Sequence, residues 1–219
     1  MEKALNPIIS IVMSFYRPST KSIVVFEKAI ENILNQTFTN FEFIIFNDKG
    51  DDQRAIEFAR SLRDPRVIFV DCPQNSGGLH AKRYNEGFKM ARGQYLFHAF
   101  EDDVIYKDAL EKLYIKIKES QADIVYAKTI IHTAHQKLIF GAPSGDIMRY
   151  NFIPNNLILH TKEMFEQTGG YPEARETIEV CDWEWWKKAL EMGYKTSFIP
   201  EILGEVLGPM FGTNLRKGK

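Results

Sequence analysis

Three acidic residues in succession, Glu101, Asp102 and Asp103, close an apolar run at 95–100 (Tyr-Leu-Phe-His-Ala-Phe). Strands of an open α/β sheet bring their carboxyl ends to a ligand crevice. Adjacent carboxylates repel one another unless a cation or a positively charged ligand compensates them. Hard oxygen ligands of this kind suit Mg2+ or Mn2+ holding a substrate diphosphate. A plainer reading fits the triplet equally well: an acidic loop solvating the start of the helical pattern that contains Asp108 and Glu111. Two more carboxylates stand at comparable places. Asp48 follows the apolar run 41–46, where it could also cap the helix beginning near Asp51, and Asp182 opens a Trp-rich helical pattern.

Hydrophobic periodicity indicates the elements that must position these acids. Short, nearly all-apolar runs at 8–15, 41–46, 67–70 and 94–100 read as buried strands. Helical spacing of apolar residues marks 23–34, 51–62, 79–90 and 108–118. This alternation predicts an α/β fold with a mostly parallel central sheet covered by helices on both faces. Right-handed crossovers would then bring the tips Tyr16-Arg17, Asn47-Asp48 and Glu101-Asp102-Asp103 to one crevice. Beyond Asp123 the pattern loosens into a smaller, antiparallel part. Strands are expected at 124–128, 137–140, 156–160 and 195–199, the last stopped by Pro200, and helices at 161–167 and 182–192. The segment 141–154, rich in Gly, Pro and Asp, reads as a loop over the site.

The chain of 219 residues, 44% hydrophobic and 26% charged, is expected to form one globular unit with a binding half at about 7–120, a second half at 121–205 and a tail at 206–219. A formal charge of −1 gives no basic surface for nucleic acid. Cys72 and Cys181 lack metal-type spacing, so neither zinc nor a disulfide framework is expected. His132 and His135 have a two-ligand spacing but fall in no clear helix, and His98 reads as a core histidine. With no apolar leader or membrane-length stretch, a cytoplasmic protein is expected. The basic end, Arg216-Lys-Gly-Lys219, could reach donor phosphates or anionic lipid at the inner face of a membrane.

Several ordered segments together resemble a known family. Ile8 to Tyr16 is similar to the first strand of inverting nucleotide-sugar glycosyltransferases of the GT-A (Rossmann-like) fold, the large family-two group. The run 29–48, with its Asn-Gln-Thr turn, is similar to that family's next helix and strand. Residues 75–87 and Met90-Ala-Arg-Gly-Gln-Tyr95 resemble the approach to its Asp-x-Asp strand. Gly169-Gly-Tyr-Pro, Cys181-Asp-Trp-Glu-Trp-Trp186 and Gly193-Tyr-Lys resemble its acceptor-side half. The resemblance implies a nucleotide-diphosphate-sugar donor, a UDP-sugar favoured, and a glycan or lipid-linked acceptor in bacterial surface polysaccharide synthesis. It also implies that Asp48 contacts the nucleobase beside Ser14 and Tyr16, Lys82 or Arg83 the diphosphate, and Glu101 the ribose. Asp102 would hold Mn2+ or Mg2+, Asp103 would orient the loop or cap the next helix, and Asp182 would be the general base.

The chain departs from the family pattern in places. Phe100 stands where the family often has Asp, Cys181 where an acid often precedes the base, and the first tip reads Ser-Phe-Tyr-Arg. The Gln-x-x-Arg-Trp motif of processive members is absent. A non-catalytic nucleotide-sugar-binding subunit is the alternative reading. A sugar nucleotidyltransferase fits less well, because Ser14-Phe-Tyr-Arg-Pro offers no glycine for a phosphate loop.

Overall fold

Along each central strand, successive side chains enter different cores, as the two-residue period of a strand requires. The computed structural model, which describes residues 6–16, 22–133, 135–143 and 145–207, shows this from its first strand. In β1 (Ile9–Phe15), Ile9, Ile11, Met13 and Phe15 enter one apolar cluster, and Val12 enters another. The helix α1 (Ile23–Leu34) leads to β2 (Phe41–Asn47), and α2 (Gln53–Ser61) to β3 (Val67–Asp71). Then follow α3 (His80–Met90), β4 (Tyr95–Ala99), the short β5 (Asp103–Ile105) and α4 (Ala109–Ser120). The second half comprises β6 (Ile124–His132), β7 (Lys137–Phe140), β8 (Ile158–Thr161), α5 (Lys162–Thr168), a 3-10 turn at Arg175–Val180, α6 (Cys181–Glu191) and β9 (Thr196–Val206). The first cluster packs α1, α2 and α4 on one face; the second packs α3, α5 and α6 on the other.

The strands form one sheet in the order β3-β2-β1-β4-β8-β6-β9-β5, with β7 on β6. β3, β2, β1 and β4 are parallel, so their carboxyl ends share an edge. β8 runs antiparallel to both β4 and β6, and β6 and β9 are parallel. The antiparallel part is therefore continuous with the parallel one.

Two expectations are corrected. The last strand is not stopped at Pro200 but runs through it to Val206. Proline lacks the N–H that a ladder needs, yet the register jumps from Ala127↔Ile199 to Lys128↔Ile202, a bulge that sets Pro200 and Glu201 outside the pairing. Asp103, expected in a loop or cap, instead begins β5, paired with Val206. Arg17 and the tail at 216–219 lie outside the described residues.

α3 lies unusually close to the sheet. A Cβ built on Gly87 would be 2.5 Å from Val12 Cγ1 and 3.0 Å from the Phe46 ring. A Gly87→Ala variant should therefore lose about 1–3 kcal/mol through overpacking. Its Tm should fall by roughly 2–10 °C, and an unchanged melting curve would show that the contact relaxes freely.

Candidate active site

The tips of β1, β2 and β4 meet because the strands are neighbours: Phe15 pairs with Asn47, and Met13 with Ala99. Asp48 sits just past β2, its amide bonded to Phe15 O at 2.8 Å, and is only 4% exposed. Burying a carboxylate is costly unless its oxygens are satisfied. Here Oδ1 accepts Ser76 N–H at 2.9 Å and Arg83 Nε at 2.6 Å. Oδ2 accepts the Ser76 hydroxyl at 2.6 Å and Asn75 Nδ2 at 3.3 Å. Arg83 also donates to Glu86 and to Gln74 O. Burial works against its guanidinium charge, but the bonds to Glu86 and Asp48 outweigh it and raise its pKa. Of the two expected phosphate contacts, Arg83 is buried and bonded to Asp48. Lys82, one residue earlier, is exposed.

Glu101 and Asp102 are half-buried at the turn after β4, beside Ser14 at the end of β1, and Tyr16 is 59% exposed. Beneath the acids lies Tyr84 of α3, whose hydroxyl donates to Ala99 O at 2.7 Å. Burial first, then the charges of Asp103, Glu101 and Asp102, hold this phenol well above its ordinary pKa, so it stays neutral. Phe100 packs on Tyr84 at 5.5 Å between ring centroids. Asp103 is 4% exposed, and its Oδ2 has no hydrogen-bond partner. Burial and then Asp102 push its carboxyl well above the usual range.

These acids could hold a hard divalent cation only with help. Among the described residues, no group of three His, Cys, Asp or Glu side chains converges as a metal cage. One or two carboxylates completed by substrate phosphates is, however, how Mg2+ is commonly held. Asp102 fits that arrangement.

Asp182 stands in the first turn of α6 and accepts Asn151 Nδ2 at 3.2 Å. Burial raises its pKa, partly offset by the helix's own N–H groups and by Asn151. A raised pKa makes a stronger base. Burial and then the charges of Cys181 and Asp182 raise the Tyr171 phenol, whose ring centroid lies 5.9 Å from that of Tyr84. Asn85 of α3 clamps the same segment, donating to Tyr171 O at 2.9 Å and to Glu173 at 2.8 Å, and accepting from Tyr171 N–H at 3.0 Å. Gly170 must be glycine here, because φ is +77° and a Cβ would lie 2.4 Å from Asn85 Oδ1. His80, at the start of α3, meets Cys181 Sγ at 3.3 Å, and burial pushes the Cys181 thiol up to about 12. The sequence does not single out Asn85, Tyr84, Tyr171 or Asn151, since none follows a spacing rule.

The histidines, the tryptophans of α6 and Glu184 fall elsewhere. His98 is wholly buried between Tyr171 and His160, with 3.0 Å between the Nε2 atoms of the two histidines, and is a core residue. His132 pairs with Glu205, and His135 is exposed. Trp185 and Trp186 stack at 4.6 Å inside the core, while Trp183 is half-buried with its N–H on Ile147 O. Glu184 bonds Lys187 and, with Lys188 and Glu191, lines a cavity of about 470 Å3 that includes none of the acids above.

The family model "Glycosyl transferase family 2" matches residues 10–172. Poly(ribitol-phosphate) beta-N-acetylglucosaminyltransferase TarP of Staphylococcus aureus is 29% identical over 73% of this chain and 49% of its own. S. aureus TarS 1-349 in complex with UDP-GlcNAc superposes with a TM-score of 0.73 at 18% identity, covering 90% of this chain and 57% of that one. The mannosyltransferase PcManGT from Pyrobaculum calidifontis, in complex with GDP-Man and Mn2+, gives a TM-score of 0.69 at 15% identity over 94% and 59%. The chain thus spans about half of TarP and under two thirds of the two solved structures. At these identities the solved structures establish the GT-A fold alone.

Removing one partner of a buried ion pair leaves an uncompensated charge, at a cost of about 3–5 kcal/mol. Arg83→Met should destabilise on that scale in urea unfolding. The double variant Arg83→Met/Asp48→Asn should cost clearly less than the two single changes summed. Additivity within about 0.5 kcal/mol would mean that the pair is not coupled.

Proposed function

The chain belongs to glycosyl transferase family 2, and from that premise we propose that it is an inverting, metal-dependent nucleotide-sugar glycosyltransferase. Its acceptor would be a hydroxyl of a glycan or lipid-linked saccharide. The observation that supports the reading is that neighbouring residues of α3 hold both halves, Tyr84 bonding Ala99 O at the end of β4 and Asn85 bonding the Tyr171 segment that precedes Asp182. In this reading α3 would set a donor-side carboxylate and a base from the other half of the chain about one crevice.

In this reading Asp182 takes the proton of the acceptor hydroxyl. The oxygen attacks the anomeric carbon from the face opposite the diphosphate, the bond to the diphosphate breaks, and the configuration inverts. Asp102 would hold Mn2+ or Mg2+, which when bound offsets the charge of the departing diphosphate. PcManGT, solved with Mn2+, supports that choice. Exposed Lys82 would meet phosphate oxygens and Glu101 the ribose. Ser14, Tyr16 and Asp48 would receive the nucleobase. A base N–H reaching Asp48 Oδ2 would replace the 3.3 Å bond from Asn75 Nδ2, the longest of the four, while that amide keeps its 2.6 Å bond to Asp48 O.

A UDP-sugar donor is favoured by the TarS complex, and a role in bacterial surface polysaccharide synthesis by the name of TarP. No helix among the described residues is long and apolar enough to cross a membrane. A cytoplasmic location, peripheral at the inner membrane face, is proposed with this function. Phe100, in place of an acid, favours the second reading, a subunit that binds nucleotide sugar without turnover.

Release of UDP from UDP-GlcNAc or UDP-glucose should require Mn2+ or Mg2+ and stop with EDTA or Asp102→Asn. Metal-dependent donor binding with no turnover would favour the binding subunit instead.

Asp182→Asn should cut turnover by at least ~10²–10⁴-fold while the donor still raises Tm. Turnover retained with donor binding lost would contradict the assignment.

The base must be ionised and its pKa is raised, so the rate should climb with pH along a limb above an exposed aspartate's, which lies near about 3.9. Asn151→Ala removes a bond that favours the charged form and should move that limb to higher pH. An unmoved limb would exclude Asp182 as the titrating base.

A further inference from the structure

The loop that carries Asn151 to the base also holds up an aromatic ring. Asp146 organises it: its side chain accepts Met148 N–H at 3.1 Å, and its carbonyl accepts the N–H groups of Arg149 at 2.9 Å and Tyr150 at 3.1 Å. Ile147 and Phe152 are buried anchors, and Ile147 O receives the Trp183 indole. Between the anchors, Tyr150 stays 52% exposed. Its ring stands edge-on to Phe152, with centroids 6.2 Å apart and planes at 65°. It also lies over Gly145, where a Cβ would be 2.8 Å from the Tyr150 hydroxyl and 3.0 Å from its Cε2. The ring is therefore positioned by packing while half its surface remains open, so little side-chain freedom is left to lose on binding. Its chain neighbour, Asn151, touches Asp182.

We propose that Tyr150 is the platform on which a sugar ring of a glycan acceptor stacks while a hydroxyl of that acceptor lies at Asp182. This rests on the transferase reading above. The C–H face of a pyranose is apolar and weakly positive, matching the negative face of an aromatic ring. The sugar's rim of hydroxyls needs polar partners, and the Arg149–Asp146 ion pair beside Tyr150 supplies both a donor and an acceptor, with side chains 82% and 51% exposed. The same pair argues against a lipid chain as occupant. Met148, 54% exposed, and Tyr150 flank the charged Arg149 in the chain, and a polyprenyl tail lying along the loop would have to desolvate that ion pair.

The test measures Mn2+-supported UDP release from UDP-GlcNAc or UDP-glucose by the unaltered chain and by Tyr150→Ala, Tyr150→Leu and Tyr150→Phe. Cellotriose, laminaritriose, chitotriose and maltotriose serve as acceptors, and farnesyl phosphate as the lipid contrast. At least one saccharide should stimulate release, and farnesyl phosphate should not. For that saccharide, Tyr150→Ala and Tyr150→Leu should raise KM about 10-fold to 100-fold and change kcat by no more than a few-fold. Tyr150→Phe, which keeps the ring, should stay close to the unaltered chain. Equal KM values, stimulation by farnesyl phosphate alone, or donor hydrolysis that no saccharide stimulates would overturn the platform and leave the transferase reading standing. A complete lack of donor turnover by the unaltered chain would sink both.

Discussion

The site depends on the seating of α3. Consecutive residues of this one helix reach different parts of the crevice: Arg83 grips Asp48 at the β2 tip, Tyr84 bonds the end of β4, and Asn85 clamps the Tyr171 segment. One turn earlier, His80 meets Cys181 beside the proposed base. A helix can serve so many partners only if its axis is fixed. The close approach of Gly87 to Val12 and Phe46 fixes it, with no side chain to hold the backbones apart. The strand tips and the segment leading to Asp182 come from halves far apart in sequence, and α3 contacts both.

Burial then gives chemically identical carboxylates different roles. Asp48 is as buried as Asp103, but four donors surround it and only one oxygen of Asp103 is engaged. The first is paired with Arg83; the second is pressed toward its neutral form by burial and by Asp102. Asp182 is intermediate, raised by burial yet partly compensated by its helix and Asn151. In the proposed reading, environments that differ in this way would let one carboxylate take up a proton while others do not.

Much of this frame is legible in the sequence because its causes are local. The apolar runs that end at Phe15, Phe46 and Phe100 define adjacent parallel strands, and a parallel sheet brings their tips to one edge. Locally invisible causes produced the differences. Pro200 reads as a stop until the ladder with β6 supplies a bulge, and Asp103 reads as a loop acid until β9 returns to pair with it. Arg83 reads as a free cation because nothing near it in sequence reveals a partner 35 residues away. Asn85 and Asn151 act across 86 and 31 residues, so no periodicity could announce them.

Phe100 is the residue that most separates this crevice from its family's acid pattern, and its packing explains how the turn tolerates it. Its ring rests on Tyr84, and Asp103 N–H approaches Phe100 O at 3.5 Å, so an apolar anchor shapes the turn that presents Asp102. An additional carboxylate at 100, beside Glu101, Asp102 and Asp103, would add repulsion in a place where Tyr84 already feels three acids. Replacing it with a ring lowers the local charge and leaves Asp102 half-exposed at the crevice. In the proposed reading, a site built this way would rely on the phosphates of its ligand, more than on its own side chains, to complete a cation's shell. Metal and donor would then bind together, each weak without the other.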